Sequence, residues 1–409
     1  MYDIIVIGGG ASGMMSALSA KDYNSNLSVG IVEKNDRLGK KILATGNGRC
    51  NLTNTFISLD RFHGNNLSFA RGALNKFDNN ATIEYFKSIG IYPKTENDKV
   101  FPYSLQASSV VDVLRLQLKS YDINEICNFD CVKVEKSDSI FKIFSDEGNI
   151  IKAKKVIMSF GGCAGPKFGT DGKSYNLLKK LGHTLCDTYP SLVQVKTDPK
   201  KTIPMKGVKI DCNVSAFVNG KLLQKEFGEV LFTEYGLSGP SIFQLSRIAS
   251  VETNKGNMVE FKLDIMPELN SEEVYYHLCS RNKDVPVEDF LTGMINKLCA
   301  RQLLKLSGVE KFNTTAYVLT DDIIRKLADN IKCWNFRITG TNGWQNAQVT
   351  AGGIDTSQFN PGTMESKIVD GLFACGELLD IDGDCGGFNL QWAWSSGYVA
   401  GYECAKQFG

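Results

Sequence analysis

Histidine is almost absent from this chain. Only His63, His183 and His277 occur, far apart in sequence, so a zinc centre built on imidazole ligands is not expected and no metal is assigned. An excess of one charge is missing too. The 46 Lys and Arg against 45 Asp and Glu leave a net charge of +1, whereas proteins whose main partner is nucleic acid carry surplus positive charge to neutralise phosphates. No apolar run is long enough to span a bilayer, and the opening Met1-Tyr2-Asp3 has no basic segment of the secretory kind. The expectation is a cytoplasmic protein with no membrane and no nucleic-acid partner. The 12 cysteines are scattered singly without a C-x-x-C pair, which reads as reduced, mostly buried thiols. No low-complexity tract interrupts the chain.

What is present is apolar residue in quantity. At 43% hydrophobic over 409 residues the chain can bury a large core, and its length suits two or three domains. Tyr2 to Ile7 is a short apolar run of the kind buried parallel strands show, and Ser28 to Val32 is a second that ends at Glu33. A helix is expected from Asn79-Asn80 to Gly90, and another opening at Ser109, with Asp112 at capping-box spacing. Three β-rich runs between Glu125 and Met158 read as a meander, and Val156 to Phe160 then ends at Gly161-Gly162. From about Ser191 the texture changes. Asn219-Gly220 signals a hairpin between Val214–Val218 and Lys221–Leu223, and helices are expected near Ser271–Arg281, Val287–Leu306 and Asp321–Trp334. The glycine-rich texture returns at Ala347. Residues 1–190 and 346–409 therefore read as one domain, and 191–345 as an inserted domain with a β-rich and a helical part.

Gly8-x-Gly10-x-x-Gly13 lies between a strand and a helix, and Glu33 ends the next strand. Gly8 permits the tight turn, Gly10 lets the backbone approach a pyrophosphate, and Gly13 lets helix and strand pack closely. The helix start, at Ala11 and Ser12, offers free N–H groups and the positive end of a dipole. Glu33 would accept hydrogen bonds from ribose hydroxyls. The alternative is a glycine-rich turn with no ligand, but position, flanks and acid agree on a dinucleotide. The C-terminal segment favours FAD over NAD. Gly371 to Glu377 reads as a strand running into Gly376 and an acid, and Gly386-Gly387-Phe388-Asn389-Leu390-Gln391 leads into a helix whose N-terminus would stabilise negative charge on reduced flavin. Trp392 and Trp394 are expected to be packing residues.

The stretch Gly39-Lys40-Lys41-Ile42-Leu43-Ala44-Thr45-Gly46-Asn47-Gly48-Arg49-Cys50-Asn51-Leu52-Thr53-Asn54 resembles the YhiN/BaiN-like flavoprotein family, which includes aminoacetone-oxidase-like members. Gly169-Thr170-Asp171-Gly172, Gly236-Leu237-Ser238-Gly239-Pro240, Val349 to Gly353, Thr363 to Lys367, Gly376 to Asp380 and Gly386 to Ala393 carry the same resemblance across the whole chain. It implies an α/β fold with a Rossmann-like FAD-binding domain of the two-dinucleotide-binding-like type, a β-meander and an inserted mixed β/α domain. It also implies Ala11 and Ser12 on the pyrophosphate, Glu33 and Lys34 at the adenosine ribose, Val132 at adenine through its backbone, and Glu377 with Asn389, Leu390 and Gln391 along the flavin. Lys40, Thr45, Gly46, Asn47 and Gly161 join this set of expected cofactor contacts. Where the resemblance leads one to expect a histidine before Gly-Leu-Ser-Gly-Pro, this chain has Glu234, which leaves no imidazole there to donate a proton.

Arg49 and Asn51 are candidate catalytic donors, Arg49 for a substrate carbonyl or carboxylate, with a structural ion pair as the alternative. Ser238 is a third, at what reads as a helix start with Pro240 at the first helical position. Cys50 has no partner cysteine nearby and is expected to be inert. No second G-x-G-x-x-G follows a strand, so NADH or NADPH would enter the substrate cleft transiently as reductant. The leading expectation is reduction of a C=C bond conjugated to a ketone, on steroid or bile-acid intermediates. An aminoacetone-oxidase-like amine oxidase releasing peroxide is the alternative. An RNA-modification module is disfavoured by neutral charge, Lys152-Ala153-Lys154-Lys155 being read as a solvated strand edge. Oligomeric state is open, with a monomer compatible.

Overall fold

The computed structural model describes residues 1–409. The chain divides into two compact units, Met1–Pro190 with Ala347–Gly409, and Ser191–Asn346. Chain connectivity alone forces the first unit to be assembled from both ends of the polypeptide.

The first unit is organised by a parallel sheet. Strand β1 (Tyr2–Ile7) lies between β2 (Val29–Val32) and the strand Ile150–Met158; Asn124–Ile126 flanks β2, and Leu372–Ala374 runs parallel to the end of Ile150–Met158. Ile5 pairs with Val156, and Ile157 with Phe373, so residues more than 200 positions apart share a ladder. Ile4, Ile5, Val6, Val156 and Ile157 are wholly buried, which is why these strands read as unbroken apolar runs. The beginning of Ile150–Met158 instead pairs antiparallel with Ile140–Ser145, itself paired to Cys131–Ser137, and this is the meander. The run from Val156 is thus the tail of a longer strand, not a separate one.

Helix α1 (Ala11–Tyr23) crosses the C-terminal helix Phe388–Lys406 at very short range. A Cβ on Gly397 would lie 2.4 Å from the Ser12 carbonyl oxygen, and one on Gly401 only 2.0 Å from that of Ser16. Two glycines one helical turn apart therefore let the backbones touch, and Ser19 Oγ donates to the Tyr398 carbonyl at 2.8 Å.

The second unit holds its own buried core and a seven-stranded antiparallel sheet. Its centre is the hairpin Lys209–Val218 and Lys221–Phe232, whose turn places Asn219 (φ 49°) and Gly220 (φ 81°) in the left-handed region that a two-residue hairpin requires. Three sequence expectations are corrected. The stretch Val287–Leu306 is not one helix: a short turn at Val287–Asp289 and a helix Lys297–Leu306 are separated by Gly293 at φ 85°. The last helix stops at Lys332, because Trp334 opens a strand whose alternate side chains are buried. In the first unit, the helix expected at Ser109 begins at Ala107 after Gln106, with no side-chain cap, so the Ser109/Asp112 spacing does not form a capping box.

Candidate functional site

The carboxyl ends of the parallel strands converge on one edge of the first unit: β1 runs into Gly8, β2 into Glu33, Ile150–Met158 into Gly161, and Leu372–Ala374 into Gly376-Glu377. In an open parallel sheet this edge is where ligands bind. Gly8 has φ 107°, and a Cβ there would sit 2.6 Å from the Ser159 carbonyl oxygen; one on Gly13 would sit 1.9 Å from that of Gly8. Gly10 differs, since a Cβ on it would meet nothing within 4 Å. The turn thus needs glycine at Gly8 and Gly13 for packing, and leaves open space in front of Gly10, beside the uncapped start of α1. That is a cradle for a phosphate group.

Ala11 is half-buried and Ser12 buried in the first turn of α1, with Ser12 against Gly376 (φ 79°). Glu33 lies at the end of β2, where its carboxylate accepts from the Gly9 and Asn35 N–H groups, both at 2.9 Å. Lys34 faces Asp171 at 3.8 Å, and Asn35 Nδ2 donates to the Phe168 carbonyl at 3.1 Å. The Gly169–Gly172 motif is therefore brought beside Glu33 and Lys34. Val132 is 46% exposed at the start of the edge strand of the meander, where a bulge between Cys131 and Lys133 interrupts the pairing.

At the other end Glu377 is the hub. Its carboxylate accepts from the Thr350 N–H at 2.8 Å and from Lys41 Nζ at 2.6 Å. Thr350 Oγ1 in turn accepts from the N–H groups of Cys163 and Ala164, at 2.8 and 3.0 Å, which ties in the loop after Gly161. Of the two adjacent lysines, Lys40, the one expected at the cofactor, turns its side chain to Asp36 at 2.7 Å, while Lys41 is the one that reaches Glu377. Nothing in the sequence separates two adjacent lysines; only the direction of the loop does.

The loop Ile42–Gly48 leads to Arg49. Thr45 is extended and donates to the Ile42 carbonyl at 2.7 Å; Gly46 and Asn47 follow in the left-handed region at φ 56° each, with Gly46, Asn47 and Gly48 exposed. Arg49 pairs with Glu96 and lies over the Phe101 ring, 4.1 Å from its centroid, so the ion-pair alternative is realised. Hydrogen bonds from Lys94 and Arg49 hold the Glu96 carboxyl below the usual range. Arg49 Nε and Asn51 Oδ1 are nonetheless buried with no partner in the protein. Cys50 is buried, and desolvation pushes its thiol up to about 12.

The C-terminal helix starts at Phe388 behind Gly387, whose φ of 102° and close approach to the Thr53 backbone exclude a side chain. Two of the residues expected along the flavin have side chains engaged within the protein. Gln391 is wholly buried, its amide donating to the Phe77 carbonyl, Thr82 and Ser395 while accepting from Thr53, so its side chain is spent inside the core. The Asn389 amide is held by the Gly383 N–H and the Gly383 and Asp384 carbonyls. Leu390 remains half-buried in the first turn. Trp392 and Trp394 are packing residues that donate to the Gly376 and Leu52 carbonyls at 3.1 and 3.0 Å. Ser238 belongs to the second unit, buried in the strand Gly236–Ser238 just before Gly239 caps the helix Pro240–Asn254. Glu234, in the same unit, is exposed and paired with Lys206 at 2.5 Å.

A dinucleotide cradle at β1, an acid closing β2, a meander, and a Gly-Glu strand end docked on a C-terminal helix together define an FAD-dependent oxidoreductase of Rossmann type. The comparisons with known proteins narrow this. The model of the HI0933-like protein Rossmann domain matches residues 2–403. The chain is 37% identical, over 100% of both chains, to a 3-dehydro-bile acid delta(4,6)-reductase of Clostridium scindens. It is 27% identical, over 98% of both, to a ribosomal RNA dihydrouridine synthase of Haemophilus influenzae, and 26% identical to one of Escherichia coli over the same share. A solved quinol-fumarate reductase shares the fold, at TM-score 0.52 and 14% identity, over 99% of this chain and 71% of that one. The chain belongs to the HI0933-like Rossmann family, the group its YhiN/BaiN-like motifs resemble. No helix is long and apolar enough to cross a membrane.

Proposed function

We propose that this chain reduces a carbon–carbon double bond conjugated to a ketone, on a steroid or bile-acid framework, with NADH or NADPH as a transient reductant. The observation that carries the reading is the full-length 37% identity to the bile-acid reductase. Bound FAD would accept hydride from the nicotinamide and return it through N5 to the electron-poor β-carbon.

The residues present suit that cofactor. The open space at Gly10 and the free N–H groups of Ala11 and Ser12 fit a pyrophosphate, and Glu33 and Lys34 fit the adenosine ribose, with the Val132 backbone at adenine. Glu377, its charge balanced by Lys41, fits the ribitol hydroxyls. The Thr45–Asn47 turn and the start of the helix at Phe388, near Asn389 and Leu390, would flank the ring, and the dipole there favours negative charge on its pyrimidine side. The unpartnered Arg49 Nε and Asn51 Oδ1 give further support, because buried polar atoms without partners are costly unless a bound group satisfies them.

Anaerobic mixing of reduced enzyme with a 3-oxo-Δ4 or Δ4,6 steroid tests the reading. Flavin reoxidation with appearance of the saturated ketone is expected; an enone panel that leaves the flavin reduced removes it. A second reading has one specific observation behind it, the two relatives named as ribosomal RNA dihydrouridine synthases. The chemistry is parallel, since the uracil C5=C6 bond is conjugated to the C4 carbonyl. Against it stands the near-neutral charge of +1, which offers little counterion release. Dihydrouridine formed on an unmodified ribosomal RNA fragment, with enones inert, would favour this second substrate.

A further inference from the structure

Reducing an enone needs a proton as well as a hydride, and the histidine expected before Gly236 is replaced by Glu234, exposed in the second unit. His183 is buried, with Nε2 2.8 Å from Ser366 Oγ, and is held down in pKa by burial; His277 is exposed on the helix Ser271–Cys279. The third imidazole sits differently. The short strand Phe62–His63 pairs antiparallel with Asp382–Gly383, which lies just upstream of the C-terminal helix. His63 Nε2 is 2.8 Å from Asp384 Oδ1, and Arg61 Nη1 is 3.1 Å from the other oxygen of the same carboxylate. The Asp384 side chain is only 7% exposed, while that of His63 is 30% exposed.

This cluster is locked to the helix start proposed to hold the flavin ring. The Asn389 amide clamps Gly383 and the Asp384 carbonyl, Asp384 N–H donates to the Arg61 carbonyl at 2.9 Å, and Phe62 packs edge-on against Phe388 with centroids 5.9 Å apart. A buried carboxylate holding one nitrogen of a partly exposed imidazole is the arrangement that orients a proton carrier. Arg61, sharing the carboxylate, keeps Asp384 from swinging away.

We propose that His63 is the acid of the reduction, with Asp384 and Arg61 as its positioning residues. The inference rests on the enone-reductase reading. Hydride from reduced flavin adds to the β-carbon and the π pair moves to the carbonyl as an enolate. The α-carbon then takes the proton from Nδ1 of His63, whose Nε2–H stays on Asp384. The imidazole, now neutral, regains a proton from water, and the flavin is left oxidised.

The test uses the FAD-loaded protein and two readouts. In stopped-flow, reduced wild type is mixed with a 3-oxo-Δ4 steroid beside His63→Asn, His63→Gln, Asp384→Asn and the control His277→Asn. Loss of a general acid lowers a rate by about a hundredfold or more. That loss is expected at flavin reoxidation in both His63 variants, with NAD(P)H-driven reduction and FAD affinity unchanged; Asp384→Asn should fall by a smaller factor and His277→Asn not at all. In the second readout, ¹⁵N-histidine spectra of oxidised holoenzyme are recorded as the steroid is added. Three histidines make assignment direct, and the His63 signals should move while those of His277 stay. Reoxidation within twofold of wild type in a folded, FAD-loaded His63 variant overturns the inference, as do His63 signals that stay still while the steroid perturbs the flavin spectrum. A wild-type enzyme that no enone reoxidises overturns the reductase reading and this inference with it, a result recognisable because it needs no variant.

Discussion

Gly397 and Gly401 carry the contact that holds the two ends of the chain together, and each can be given a methyl group. In an exposed helix interior Gly→Ala stabilises by about 1 kcal/mol. Here the added Cβ would lie 2.4 Å from the Ser12 carbonyl oxygen or 2.0 Å from that of Ser16. Restoring ordinary contact at roughly 3.5 Å requires α1 to retreat by about 1–1.5 Å, because the obstacle is backbone and no rotamer relieves it. Overpacking of this kind costs about 1–3 kcal/mol, so after the helix-propensity gain the expected result is a net loss of up to about 2 kcal/mol. The same retreat carries the α1 N-terminus away from the position proposed for the pyrophosphate. Losing one charge-assisted hydrogen bond, about 1.5–3 kcal/mol, weakens FAD binding by roughly 10- to 100-fold. Urea denaturation and FAD titration of Gly397→Ala and Gly401→Ala measure the two effects. Variants that are about 1 kcal/mol more stable and bind FAD like the parent would refute the helix crossing.

Lys41→Met removes the cation facing Glu377 and should weaken FAD binding by about tenfold, while Lys40→Met, whose lysine faces Asp36, should leave the titration unchanged; equal effects would refute the assignment. Cys50, with its thiol raised to about 12 by burial, should resist iodoacetamide at pH 8 in the folded protein while the exposed Cys279 and Cys333 are modified, as peptide mass mapping would show; early Cys50 labelling would contradict the packing of its loop. Burial depresses the His183 pKa below its ordinary value of about 6.5. The unfolded chain then binds the proton more readily, so this group's contribution is full above about pH 6.5 and is lost as pH falls below it. Denaturation midpoints at pH 7.5 and 5.5 should therefore differ more in wild type than in His183→Gln, and parallel pH slopes would refute it.

What could be read in advance follows from what local sequence encodes. The strand, the turn glycines, Glu33, the Asn219-Gly220 hairpin and Gly239-Pro240 at a helix start each express a backbone requirement within a few residues. The choice of Lys41 over Lys40 could not be read, because it depends on Glu377, 336 positions away. Gln391 sits in a segment correctly expected to start a helix, yet its amide faces the core towards Thr53, Phe77 and Thr82, a direction set by tertiary packing. The Gly397/Gly401 spacing was a signal of close helix approach that only acquires meaning beside Ser12 and Ser16. The helix misread across Gly293 shows the reverse case, where an apolar period continued through a left-handed break.

Both ends of the polypeptide meet in the unit that carries the proposed FAD site. Titration of the purified, cofactor-stripped protein with FAD, followed by the visible flavin band and by quenching of flavin fluorescence, addresses this directly. One FAD per chain, bound tightly enough to survive gel filtration and weakened by Gly397→Ala, is the predicted result. A colourless protein that takes up no FAD at any concentration tried would contradict it.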